Sequence, residues 1–178
     1  ANAVTQLEEV VENDASAYHL SVLIDFLLRN GQYDKAETWI DQLEEQTGWE
    51  LKTVMLRARW MVATNRINEI RPFVELYARK RFQQGPRDTA EVIQGIGKVY
   101  RLVGMNDDAE RWLSELARRY PAQADSLSRF LVETDELERA VQRCVAELES
   151  QPNAETATLL ARILVYGEAS PATLENIM

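Results

Sequence analysis

Apolar residues recur three and four positions apart along most of the chain. Leu20, Leu23, Ile24, Leu27 and Leu28 form the clearest run, and this spacing lays one apolar stripe along a helix. Strong alternation with a period of two, the mark of a half-buried strand, is absent. The runs stop at short breaks: Asn30-Gly31, Gly48, Asn65, Gly85-Pro86, Gly104, Tyr120-Pro121, Gln151-Pro152-Asn153 and Gly167. These are residues that end helices and make turns. Between them the pattern predicts an all-α chain of about eleven helices, over 2–13, 16–30, 33–47, 49–64, 67–84, 88–103, 106–119, 122–133, 135–150, 154–166 and 170–178.

The segments are also alike. Asp34-Lys35-Ala36-Glu37-Thr38-Trp39-Ile40-Asp41-Gln42-Leu43 aligns with Asp107-Asp108-Ala109-Glu110-Arg111-Trp112-Leu113-Ser114-Glu115-Leu116 at an offset of 73 residues. That is two units of a repeat of about 34 residues. One turn position recurs as Gly31, Asn65, Gly104, Asp135 and Gly167, at intervals of 34, 39, 31 and 32 residues. The segment from Lys80 to Asp88, with Gly85-Pro86, absorbs the long interval. A two-helix unit cannot bury its apolar stripe alone, so successive units stack, and small residues let the helix axes approach. Ala36, Ala58, Gly97, Ala109 and Ala140 supply such sites.

The residues at these positions resemble the tetratricopeptide repeat family. One unit carries Gly97, Tyr100, Gly104, Ala109, Leu113, Leu116 and Pro121, and another carries Leu20, Leu23, Leu27, Gly31, Tyr33, Ala36, Ile40 and Leu43. Ile24 departs from the small-residue pattern, and Asn65 is followed by Ile70 in place of Ala, so one unit is degenerate. The resemblance covers nearly the whole chain. It implies an α-solenoid, a right-handed superhelix of antiparallel helix pairs. The chain then reads as one array over 1–178: a half unit at 1–15, units at 17–48, 51–87, 90–121 and 122–152, and a partial unit at 153–178. Neither end shows a polar capping helix, so a piece of a longer array is expected.

Composition adds limits. The chain has 46 % apolar and 28 % charged residues, as expected of a chain that folds in water. One cysteine leaves no internal disulfide or multi-cysteine zinc site, and one histidine removes most histidine-based metal sites. No apolar stretch approaches membrane-spanning length, and no secretory leader is visible, although the start at Ala1 fits a trimmed or excised chain. A cytoplasmic location is the expectation. The sequence contains no phosphate-binding loop, HExxH, EF-hand loop or CxxC. Gly95-Ile96-Gly97 forms a GxG inside a helix, which reads as packing. His19 is read as an ordinary helix histidine, because no motif places a nucleophile near it. Cys144 occupies an interior position and is read as a small buried hydrophobe. The tryptophans are read as packing groups, with Trp39 and Trp112 at the seam between units. No catalysis, cofactor, metal or small-molecule substrate is expected.

Charge is uneven within a net charge of −9. Residues 1–51 hold 11 acids and 2 bases, 52–87 hold 9 bases and 2 acids, and 88–178 hold 9 bases and 16 acids. The basic band, with Arg79-Lys80-Arg81 near its end, makes an anionic surface or nucleic acid one alternative partner, though overall acidity disfavours a general nucleic-acid binder. The resemblance implies that the first helices of the units line a concave groove for a partner segment. By spacing, that wall takes Tyr18, Ser21, Asp25, Leu28 and Arg29, then Lys52, Met55, Arg59 and Val62. It continues through Glu91, Gln94, Lys98 and Arg101 to Asp125, Arg129, Val132 and Glu133. Asp25, Arg29, Lys52, Met55, Arg59, Gln94, Lys98, Arg101 and Arg129 are the candidate binding residues. Their basic middle suits an acidic or carboxylate-bearing peptide. Ser21 and Asp25 stand where the chaperone-tail clamp of the family has Lys and Asn, which disfavours that subtype. A structural spacer, or a regulatory segment of a larger protein, is the remaining alternative.

Overall fold

Four of the five expected turns close in the same way in a computed structural model, which describes residues 3–83, 89–123, 125–150 and 152–166. The turn residue is left-handed each time: Gly31 at φ +70°, Asn65 at +61°, Gly104 at +77° and Asp135 at +63°. Two backbone bonds then wrap up the helix end. At the first turn the Gln32 amide reaches the Leu27 carbonyl at 3.0 Å and the Gly31 amide reaches that of Leu28 at 3.3 Å. The same pair recurs as Arg66 to Met61 (2.7 Å) with Asn65 to Val62 (3.1 Å), and as Met105 to Tyr100 (2.9 Å) with Gly104 to Arg101 (3.1 Å). The fourth copy is Glu136 to Leu131 (2.8 Å) with Asp135 to Val132 (3.1 Å). The repeat read from side-chain spacing is therefore also a repeat of backbone bonding. Gly167 lies outside the described residues.

The described residues form ten α-helices and no strand. They are α1 (Ala3–Asn13), α2 (Ala17–Arg29), α3 (Tyr33–Thr47), α4 (Leu51–Ala63), α5 (Ile67–Gln83), α6 (Thr89–Leu102), α7 (Asn106–Arg119), α8 (Asp125–Glu133), α9 (Leu137–Ser150) and α10 (Ala154–Tyr166). The helix expected over 170–178 lies outside the described residues, as do Gly85-Pro86 and Arg87. Three starts fall two or three residues later than expected, each for a local reason. Gly48, with φ +64°, delays α4 from 49 to Leu51. A single 3-10 turn, Pro121–Gln123, precedes α8. The left-handed Asp135 holds back α9 to Leu137.

The chain divides into two compact units, Ala1–Met105 and Asn106–Met178. In the first, each helix packs on the next in sequence, and α4 also packs between α2 and α6. In the second, α7 packs on α8, α8 on α9 and α9 on α10, while α8 also meets α10. Both are thus built of antiparallel helix pairs whose first helices lie side by side. The five small residues named above are all buried. Around them pack Leu23, Ile24, Leu27, Ile40, Ile70, Ile96 and Tyr100 in the first unit, and Leu116, Phe130 and Cys144 in the second.

In each unit a charged side chain is buried where a second helix meets the next first helix, and the second unit buries Asp108 as well. Arg57 on α4 is only 8 % exposed. Its Nε and Nη2 donate to the two oxygens of Glu44 on α3, each at 2.9 Å, and Nη2 also bonds Asp41. Burial disfavours its charge, but the bonds and charges of Glu44 and Asp41 outweigh that, and its pKa lies above the ordinary value. Its guanidinium lies 5.4 Å from the ring centre of Trp60, and Arg66 lies 4.7 Å from the same ring. Trp60 is buried, with its indole N–H on the Tyr33 carbonyl at 3.1 Å. In the second unit Glu147 on α9 is 8 % exposed. It takes bonds from Arg143 at 2.9 Å and from the Thr156 hydroxyl of α10 at 3.2 Å. Burial pushes its pKa up, only partly offset by Arg143 and Thr156.

Candidate binding surfaces on the first helices

Gly95 shows why the first helices of the first unit approach closely. A methyl group added there would stand 3.1 Å from Leu51 Cδ1 on α4 and 3.5 Å from the Tyr77 hydroxyl on α5. The GxG serves packing. The wall thus formed by α2, α4 and α6 leaves apolar groups in solvent. Tyr18 is 68 % exposed, and Val22, one turn on, Val62 and Leu102 are exposed as well. Met55 is half-buried. Ser21 and Leu28, expected on the open wall, are buried, and the Ser21 hydroxyl donates to the Tyr18 carbonyl at 2.8 Å.

The charged candidates differ in what they hold. Asp25 is half-buried and accepts Arg29 Nε at 2.8 Å, one turn along α2, and Arg59 Nη1 across from α4. Two of the expected carboxylate-binding cations thus hold this chain's own carboxylate. Lys52 is exposed, with its ammonium 5.7 Å from the centre of the Tyr18 ring. Lys98 is exposed and forms no ion pair among the described residues. Gln94 is half-buried and Arg101 exposed on α6.

Arg129 belongs to the second unit. It is exposed on α8 and its Nε lies 2.9 Å from Asp125, one turn back. Beside it, α8 and α10 enclose a cleft of about 450 Å³ with Val132, Leu159 and Arg162 in its lining. Arg162, which the sequence pattern does not single out, is exposed and has no carboxylate partner among the described residues. Only the pairing of α8 with α10 reveals it.

The remaining candidates are structural. The Ser16 hydroxyl caps α2 by accepting the His19 amide at 3.3 Å, and His19 Nδ1 sits 3.0 Å from the Asp14 carboxylate. Cys144 is buried and burial pushes its thiol pKa up, which makes it a poor nucleophile. Trp39 and Trp112 are half-buried. In the basic band, Arg57, Arg59 and Arg66 all bond acids of this chain; Arg66 Nε holds Glu69 at 2.7 Å. Lys80 lies 4.5 Å above the ring of Trp49, which itself meets Phe73 at 5.4 Å between ring centres. Among the described residues no helix is long and apolar enough to cross a membrane, and no group of three or more His, Cys, Asp or Glu is placed to hold a metal ion.

No family model matches the chain, and no curated protein matches it. Among solved structures it is similar to TTC0263, a thermophilic TPR protein of Thermus thermophilus. The two share 20 % identity over 92 % of this chain and 90 % of that one, with a TM-score of 0.48.

Proposed function

We propose that the chain is a non-catalytic interaction scaffold that holds an extended or helical segment of a partner protein against the wall of α2, α4 and α6. The observation that carries this reading is the exposure of Tyr18 and Val22 on α2 and of Val62 on α4, helices whose opposite faces are buried. An amphipathic segment gains by covering such side chains, and aromatic side chains dominate such contacts. Lys52 and Lys98, neither bonded to a carboxylate among the described residues, favour a partner with some acidic residues. Arginines of the basic band that already bond internal acids weigh against nucleic acid as the ligand.

Photoreactive amino acids at Tyr18, Lys98 and, as an outer-face control, Lys35 test the reading. Cross-linked peptides from one partner are expected at Tyr18 and Lys98 and not at Lys35, and Tyr18→Ala should reduce the yield at Lys98 several-fold. Cross-links confined to Lys35, or a Lys98 yield indifferent to Tyr18→Ala, would refute it.

A further inference from the structure

Three of the four left-handed turns are preceded by a side chain that donates back into the helix it ends. Thr64 and Thr134 give their hydroxyls to the Trp60 and Phe130 carbonyls at 2.8 and 3.1 Å. At the first turn Asn30 does this with its amide, Nδ2 lying 2.7 Å from the Phe26 carbonyl oxygen. Asparagine brings a chemistry that threonine lacks. Its side-chain carbonyl carbon can be attacked by the next backbone nitrogen, and Gly31, with no Cβ, shields that nitrogen least. Both residues are exposed, and a Cβ added at Gly31 would meet nothing within 4 Å among the described residues. Water reaches the pair, so the restraint on it is the turn itself. Asn30 sits at φ −96° and ψ 9°, which sets the Gly31 nitrogen beside the Asn30 backbone nitrogen and away from Cβ, where a ring through the side chain would close. The Asn30 amide is held at Phe26, and the Gly31 amide is engaged with the Leu28 carbonyl at 3.3 Å.

We propose that Asn30 is a latent deamidation site, held closed by the α2–α3 turn and released when that turn opens. In the open chain the Gly31 nitrogen, its proton passed to hydroxide, bonds to Asn30 Cγ. The Cγ–Nδ2 bond breaks, and Nδ2 leaves as ammonia with a proton taken from water. The cyclic imide then takes up one water. Opening at Cγ leaves an aspartate at position 30, and opening at the backbone carbonyl leaves an iso-aspartate, with the chain running through the side chain. The net change is one water consumed and one ammonia released. The iso-aspartate adds a methylene to the backbone between the Leu27 and Leu28 carbonyls and the Gln32 and Gly31 amides that reach them, so the pair of bonds that closes the turn cannot re-form as before. Either product loses the donor to Phe26 and puts a negative charge at the carbonyl end of α2, where the helix dipole opposes it. Opening of this turn becomes irreversible once the reaction follows it.

Peptide mapping of the intact chain by mass spectrometry, with iso-aspartate detection, tests this after parallel incubations at mildly alkaline pH, folded and in urea. Conversion at Asn30 is expected to be at least about tenfold faster in urea than in the folded chain, because the reaction follows the population of the open turn. In urea it is also expected to be several-fold faster than at Asn13, whose amide makes the same bond to the carbonyl four residues back, 2.7 Å to Glu9, but which precedes Asp14. Asn30→Thr, which copies the other turns, should keep the native spectrum and give no product at position 30. Gly31→Ala, compared in urea where folding plays no part, should slow conversion at Asn30 and leave Asn13 unchanged. The iso-aspartate form, returned to native buffer, should have lost hydrogen-exchange protection at the amides of residues 31 and 32. Equal rates in the folded chain and in urea, no excess over Asn13 in urea, or full protection at residues 31 and 32 in the iso-aspartate form would overturn the proposal.

Discussion

The two units seal corresponding helix junctions with buried charges of opposite sign, and they provide for them unequally. Arg57 meets two carboxylates and two faces of hydrogen bonding, so it stays a firm cation although almost out of water. Glu147 meets one arginine and one hydroxyl, and burial wins, so its carboxyl is pushed toward the neutral form. The lesson is one of supply. Burial disfavours any charge, and the number of opposing partners decides whether the group keeps it.

That contrast can be broken from the first unit. Arg57→Ala should cost about 2–3 kcal/mol in chemical denaturation, because it removes bonds to Glu44 and Asp41 and the packing of its stem near Trp60. A loss under about 0.5 kcal/mol would mean the cluster is ornamental. Gly31→Ala should cost about 1 kcal/mol, since the left-handed turn there penalises a side chain. Asp135→Gly, at the same turn of the second unit, should gain a few tenths of a kcal/mol by the same physics. Opposite signs at these two positions would confirm that both turns need the same conformation.

The second unit offers a sharper comparison through pH. A raised carboxyl pKa means that the fold prefers the protonated form. The stability this provides is complete below the ordinary carboxylate value and is lost as pH rises through the folded value. Glu147→Gln should therefore look least favourable near pH 4 and gain on the natural chain toward pH 7, seen as a Tm difference that grows in that direction. Glu115 is the control of opposite sign. Arg118, with Arg119, holds its pKa at about 2, so its contribution is present above the ordinary value and disappears as pH falls. The smallest effect is expected for Asp25→Asn, at about 0–1 kcal/mol, because its ion pairs border solvent.

Much of the fold could be read from the chain. Asn65 is legible as a break in the apolar pattern, whereas Asp135 is legible as a turn only through the repeat interval, and both carry the same backbone bonds as Gly31 and Gly104. The delayed start of α8 was not legible, since Pro121 can open either an α-helix or the 3-10 turn found there. The binding surface was legible in part. Spacing put Asp25, Arg29 and Arg59 on one wall, but their mutual neutralisation depends on how α4 is rotated against α2, which no periodicity contains. Arg57 and Arg59 are two residues apart, yet one turns into the junction with α3 and the other to the wall. Arg162 stayed unseen because only the packing of α10 on α8 brings it to a cleft.

The four matching turns carry one more implication. Each lies inside a helix pair and is closed by its own backbone, so the bend of a hairpin does not depend on its neighbours. The links between pairs are the varied ones, a left-handed Gly48 in one place and a 3-10 turn at Pro121–Gln123 in another, so a change in the angle from one hairpin to the next is made there.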